Sequence, residues 1–334
     1  MNYSLSYILV TILSLILTYS AIKIFIKYSH KIQNYGEDNV FIVRNEKVPT
    51  SGGITIFFVF SISLTILFYL NNEHIEIILP NRYYLLIFSL FILFIISVYD
   101  DFNSIHPIYK LIAQIIIAYI SVACLNLQEI NFPLKIIILM TVIIWVYVMN
   151  IVNFIDGSDG FLTTYSLFFF SSIFLTQYFI SEFNSISHVV SFILLPILLV
   201  FLNFNKPKAK LFMGDSGSIF LGYLIGFCSL EIILLKYWKL GFILLMYPLL
   251  DCTLTLVLKI KKGHYPWARL FDYFCLGPIK KNNDHEYVLK VFKNYLIFNF
   301  ILFLAQLKFP ENFYIVVLSF ILTVFVLVIY KKKS

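Results

Sequence analysis

Charge is what this sequence has least of. Only 13% of its 334 residues are Asp, Glu, Lys or Arg, about half the share of an ordinary soluble domain. Together with 60% hydrophobic and 19% aromatic residues, that scarcity excludes a soluble globular protein. Cysteine is scarce as well. Cys124, Cys228, Cys252 and Cys275 are scattered with no CxxC pair, which argues against both a disulfide framework and a structural zinc site. Low-complexity linkers and internal repeats are missing too. The one sizeable polar stretch lies at about 261–293, so the chain reads as a single membrane-embedded domain over 1–334 with one larger loop.

A net charge of +7 invites a nucleic-acid partner, but the lysines sit at the ends of apolar runs. Basic residues there set topology and touch anionic headgroups, so no nucleic acid is expected. The apolar runs are about 18–24 residues long, enough to cross the hydrocarbon core as helices. The sequence predicts an all-α, polytopic integral membrane protein of about eleven transmembrane helices. They fall at 5–28, 50–71, 82–99, 107–127, 133–152, 161–181, 187–204, 216–235, 239–260, 294–308 and 311–330. The first run is too long for the core of a signal peptide and is read as a retained helix.

Basic-residue placement orients the bundle. With the N-terminus outside, 20 of the 25 Lys and Arg residues fall on the inner side, leaving Arg82, Lys135, Lys236, Lys239 and Lys308 outside. The expectation is an outer N-terminus, a cytoplasmic C-terminus and a bacterial plasma-membrane location. Asp100, Asp101, Asp156, Asp159 and Asp215 then all reach the inner side from three different connections. Acids gathered at helix ends on one face suggest a cation site.

Four polar segments carry candidate chemistry, and a fifth has a weaker signal. Asp100-Asp101 at a membrane boundary would repel each other unless a cation or Mg²⁺ relieved them; Lys110, nine residues on, opens the next helix where it could meet a phosphate. Asn150, Asn153 and Asp156 recur every third residue in NIVNFIDGSDG, which also holds Asp159, and supply hard oxygen ligands. FMGDSGS places Asp215 between glycine and serine just before an apolar helix, a turn whose N–H groups suit phosphate and whose Asp or Ser could equally be a plain N-cap. The loop after residue 261 carries His264, Arg269 and His285, with arginine suited to bidentate diphosphate contact. The fifth segment, Arg44 to Ile54, combines Lys47 with Pro49, Gly52 and Gly53 at the start of the second span.

Taken in this order, PTSGG, DDFNSIHPIYK, NIVNFIDGSDG and FMGDSGS resemble the polyprenyl-phosphate N-acetylhexosamine-1-phosphate transferases of glycosyltransferase family 4. The resemblance runs from about residue 44 to 290. It implies transfer of a sugar-1-phosphate from a UDP-sugar to undecaprenyl phosphate at the cytoplasmic face, with UMP released and Mg²⁺ (or Mn²⁺) assisting. It implies catalytic roles for Asp100, Asp101, Lys110 and Asp215. Metal contact would come from Asp215, Asn153, Asp100 and Asp101. Substrate contact would come from Lys47, Asn150, Asn153, Asp156, Asp159, His264, Arg269 and His285. Members of the family are often homodimers, although no interface is legible here.

One departure matters. The consecutive histidine cluster of phospho-MurNAc-pentapeptide transferases is missing, as is the HxHH-like pattern of some GlcNAc-1-phosphate members. The sequence therefore favours an envelope-glycan branch such as O-antigen synthesis, with the peptidoglycan transferase as the alternative. A cation-coupled transporter is the reading from another class, and it is disfavoured because the acids lie at helix ends instead of the midplane.

Overall fold

A computed structural model describes residues 3–29, 48–71, 83–125, 127, 133–180, 186–265 and 273–333. The described chain is helical, without strands. In order the helices are α1 (Tyr3–Ser29), α2 (Gly53–Leu70), α3 (Tyr84–Phe102), α4 (Pro107–Ser121), α5 (Leu134–Phe154), α6 (Phe161–Thr176) and α7 (Ile186–Asn205). They continue as α8 (Asp215–Leu234), α9 (Trp238–Lys261), the short α10 (Gly277–Asn282), α11 (His285–Lys308) and α12 (Tyr314–Lys333).

Among the described residues ten helices are long and apolar enough to cross a membrane, as the hydropathy pattern predicts. The predicted span 161–181 is the exception. It is realised as α6, only 16 residues long, roughly 24 Å at the helical rise against a hydrocarbon core of about 30 Å. Gly160, with φ 69°, sets its start, and the chain turns again after Thr176. The predicted span 294–308 begins much earlier, at His285, because Asp284 caps α11 by accepting from Tyr287 N at 2.9 Å. The large polar loop is correspondingly shorter than expected and contains α10.

Helix α8 is the hub. Its apolar window is 83% buried, as befits a helix that is hydrophobic all round, and its principal neighbours are α5 and α3. Close approach is possible because Gly222 and Gly226 form a GxxxG face. A Cβ on Gly222 would sit 2.9 Å from the Met149 carbonyl oxygen, and one on Gly226 would sit 2.5 Å from Trp145 Cδ1. Trp145 Nε1 donates to Tyr223 O at 2.9 Å, while the Tyr223 hydroxyl meets Ser121 Oγ at 2.6 Å. The same hydroxyl donates to Leu86 O at 3.3 Å, so these bonds tie α3, α4 and α5 to α8. The outward faces, for example Ile112, Ile116 and Tyr119 of α4 and Ile321 and Phe325 of α12, are exposed apolar surface of the kind that lipid covers.

Pro248 interrupts α9, and without an N–H it leaves the Leu244 carbonyl without its helical donor. The buried Tyr165 hydroxyl from α6 supplies the missing bond at 3.0 Å. Tyr165→Phe removes only that oxygen, so we expect a loss of about 1 kcal/mol, the usual worth of a hydrogen bond inside a membrane bundle. Thermal unfolding in detergent checks it; an unchanged midpoint would mean that the carbonyl needs no partner.

Consecutive long helices alternate in direction. The end of α3, the start of α4, the end of α5 and the start of α8 therefore lie at the same end of the bundle. The end of α9 and the start of α11 join them there. That end holds the polar motifs.

Candidate active site

The centre of the site is an ammonium held between carboxylates. Lys110 enters from the first turn of α4, where Pro107 sits at the helix start and His106 accepts from Ile108 N. Its Nζ donates to Asp215 Oδ2 at 2.7 Å and forms a second ion pair with Asp100. Asp100 is fixed in turn by the connection between α3 and α4, accepting from Ile105 N at 2.7 Å. The sequence expectation that a cation relieves the acid pair holds for Asp100, and the cation present is Lys110.

Asp101 does something the sequence reading did not foresee. Its two oxygens accept from Asp215 N at 2.8 Å and Ser216 N at 3.2 Å. The first turn of α8 is thus capped by a carboxylate from α3, not by its own Asp or Ser. An anion at a helix N-terminus answers both the unsatisfied N–H groups and the helix dipole. The cap position of α8 itself is Gly214, with φ 74°, a backbone conformation that glycine adopts without strain. A side chain there would run into Ser51 N at 2.8 Å and Asp101 Oδ2 at 2.9 Å.

Two motifs that look independent in the sequence are interlocked. Gly52 N donates to Phe212 O and Gly53 N to Met213 O, both at 2.8 Å, while Phe212 N donates to Pro49 O at 2.9 Å. The PTSGG and FMGDSGS segments therefore run against each other backbone to backbone. This anchors the backbone just before Asp215, which contacts Asp101 and Lys110.

The Asn/Asp run arrives from the end of α5. Asn153 faces the Asp215 carboxylate. Asn150, one turn back, donates to Gln114 Oε1 at 2.6 Å and to Val146 O at 2.8 Å, so its amide braces α4 against α5. Asp156 lies in the connection before α6. Surrounding protein atoms strip most of its hydration, and Asp215, Asp101 and Asp159 add like charge, so its pKa is raised well above the usual carboxylate range. Asp159 points elsewhere: it is buried, accepts from Ala209 N at 3.1 Å and lies 3.7 Å from His285 Nδ1. Asp159 and His285 tie the start of α11 to the loops before α6 and α8.

The structure thus brings together Asp100, Asp101, Lys110, Asn153, Asp156 and Asp215. It sets Asp159 and His285 apart as a buried pair, and it leaves His264 exposed at the end of α9. Lys47 and Arg269 lie outside the described residues.

A cleft opens at the lysine. It is lined by Leu93, Ile96, Ser97 and Asp100 of α3, Lys110 and Gln114 of α4, and Asp215 and Ile219 of α8. Charge is concentrated at one end; one to two turns deeper the walls become apolar. Gln114 was not singled out from sequence, although a lone amide one turn after Lys110 on an apolar helix was a usable signal.

The donors at the charged end are carboxylate and amide oxygens, the hard set that suits Mg²⁺. Among the described residues no three acidic, histidine or cysteine side chains converge into a ready metal cage, since the Lys110 ammonium lies between Asp100 and Asp215. The donor chemistry fits a magnesium ion, with Asp215, Asp100 and Asn153 as the groups that would hold it.

Residues 83–233 match the family described as Glycosyl transferase family 4, a segment that contains every member of the central cluster. The chain is 30% identical over 259 residues to the phospho-N-acetylmuramoyl-pentapeptide-transferase of Prochlorococcus marinus strain NATL2A, covering 67% of this chain and 64% of that enzyme. The match therefore spans just under two thirds of that relative's length. It is 27% identical over 290 residues to the enzyme of the same name from Staphylococcus epidermidis strain RP62A, covering 78% and 86%. For the Aliarcobacter butzleri enzyme of that name the values are 28% over 283 residues, 71% and 73%. Over residues 83–233, a little under half of its length, the chain is thus similar to glycosyl transferase family 4.

Proposed function

We propose that the protein transfers a sugar-1-phosphate from a UDP-sugar to a polyprenyl phosphate such as undecaprenyl phosphate, at the cytoplasmic face of a bacterial plasma membrane. The observation that carries this reading is the graded cleft. Lys110, Asp100 and Asp215 line one end of a small cleft, and Leu93 and Ile96 of α3 and Ile219 of α8 line the rest of it. Few substrates other than a lipid phosphate need both.

The reaction follows from the charges. An oxygen of the lipid phosphate attacks the β-phosphorus of the UDP-sugar, and the bond from that phosphorus to the bridging oxygen breaks to release UMP. Both reactants are anions, so positioning and charge neutralisation are most of the catalytic task. In this reading Lys110 contacts the attacking phosphate, and Asp100 and Asp215 hold its ammonium in place. When bound, Mg²⁺ neutralises phosphate oxygens as a Lewis acid. A phosphate monoester is largely ionised at neutral pH, so no residue need serve as a general base, and Asp101 is already engaged as the cap of α8. Asn153 and Asp156 belong to the run that the resemblance associates with the nucleotide, and in this reading they meet the donor.

The names of the relatives support a muramoyl-pentapeptide donor over the N-acetylhexosamine donor that the motif resemblance implied. The absent histidine cluster is the observation on the other side. The test is purified enzyme with Mg²⁺, undecaprenyl phosphate and a donor panel led by UDP-MurNAc-pentapeptide and UDP-GlcNAc, following UMP and lipid product. UMP release with one donor, lost on chelation, is the expected result. UMP without a lipid-linked product would mean hydrolysis and would overturn the transferase reading.

A further inference from the structure

Asp251 is a buried acid that the proposed chemistry does not use. It lies within α9 and is completely shielded from solvent. It is fully engaged: Oδ1 accepts from Phe274 N at 2.9 Å, and Oδ2 accepts from the Tyr247 hydroxyl at 3.0 Å. Cys275 lies against the same carboxylate. Burying an acid inside an apolar helix is costly. What this one holds is the turn Phe274–Leu276, which begins the return from the polar loop to α11.

That turn grips the loop that carries Asp156. The ring of Tyr273 stacks on Phe154 with centroids 5.6 Å apart and planes 25° apart. Leu276 fills the space above Gly157, where an added Cβ would lie 2.8 Å from its Cδ2. Phe154 and Gly157 flank Asp156, and Phe154 directly follows Asn153. Asp251, the turn and the Asn153–Gly157 segment thus form one mechanical chain that ends at the carboxylate cluster.

We propose that Asp251 is a positioning residue: by pinning the turn at 273–276 onto Phe154 and Gly157, it sets the placement of Asn153 and Asp156 for the nucleotide end of the donor. The functional half of this inference rests on the transferase reading, while the clamp itself does not.

The test uses full-length enzyme in detergent and three variants. Asp251→Leu removes the acceptor for Phe274 N–H. Asp251→Asn keeps one. Leu276→Ala loosens the grip on Gly157 without touching the buried carboxylate. Cys275 is buried in the folded protein, so its maleimide labelling, mapped by peptide mass spectrometry, reports release of the turn. We expect labelling of Cys275 to rise at least about tenfold in Asp251→Leu, as local opening allows, and to stay near the parent rate in Asp251→Asn. We also expect the KM for the UDP-sugar to rise about tenfold in Asp251→Leu and Leu276→Ala, with the KM for the lipid phosphate within about twofold.

A folded Asp251→Leu protein with Cys275 still protected overturns the clamp. So does an equal rise in both KM values, or an unchanged donor KM in Leu276→Ala. If Asp251→Leu does not accumulate, Leu276→Ala alone decides. Parent enzyme silent with every donor, alongside labelling that rises as expected, would sink the reaction and leave the clamp standing.

Discussion

Asp215→Asn is expected to cut sugar-phosphate transfer at least about a hundredfold while leaving the fold intact. The substitution keeps the shape and removes one charge. Asp215 is the carboxylate on which the site converges: it accepts from Lys110 Nζ at 2.7 Å, faces Asn153 and is the first residue of α8. Loss of one preorganised electrostatic contact in an active site costs about 10²–10³ in turnover, and Asp215 would be a metal contact as well. Lys110→Met should lower turnover by a similar factor and also lower the melting temperature. It leaves Asp100 and Asp215 facing each other with no cation between them, the costly way to break an ion pair. The double variant Asp100→Asn/Lys110→Met should melt above Lys110→Met alone, with a coupling of about 1 to 3 kcal/mol. Near-parental UMP release by Asp215→Asn would remove it from the catalytic centre. A double variant no more stable than the single would show that the lysine does not neutralise Asp100.

The second large effect is expected from a contact that involves no charged group. Gly53→Ala should destabilise the protein by about 3 kcal/mol or more, the upper end of overpacking costs, and abolish activity with it. A Cβ at this position would lie 2.0 Å from Gly217 N and 2.3 Å from Gly217 Cα. These are backbone atoms, so no rotamer change can relieve the overlap; α2 and α8 must separate. Gly217→Ala is the control. Its nearest obstacle is the flexible Met213 side chain, at 2.3 Å, with Gly53 Cα at 2.9 Å, so a smaller loss is expected. Equal midpoints for the two variants would refute the backbone-contact account.

Much of the architecture was legible because membrane helices announce themselves by length and composition. The span limits for α1, α5 and α8 fall close to the hydropathy runs. Where the reading missed, packing had overridden local pattern. α6 is shorter than its apolar run, and α11 extends through a polar stretch because an Asp284 cap and a buried His285 hold its first turns. The site was legible as an inventory of residues and much less as a geometry. Asp100, Lys110, Asn153, Asp156 and Asp215 could be named from spacing and resemblance. That Lys110 sits between two of the acids, that Asp101 caps α8 and that Asp159 turns away to His285 are long-range contacts. No local periodicity encodes them.

The backbone interlock between residues 49–53 and 212–213 has a consequence for biosynthesis. The amides of Gly52 and Gly53 find their acceptors only on Phe212 and Met213, which emerge from the ribosome after five further helices, α3 to α7, have been made. At about 5–20 residues per second, that is a wait on the order of ten seconds. Throughout it the beginning of α2 has no native partner for these groups and must lean on water at the membrane interface. Neither motif can act as an early folding nucleus. The nascent chain carries this segment unpaired through about half of its synthesis, until residues 212 and 213 arrive to close it.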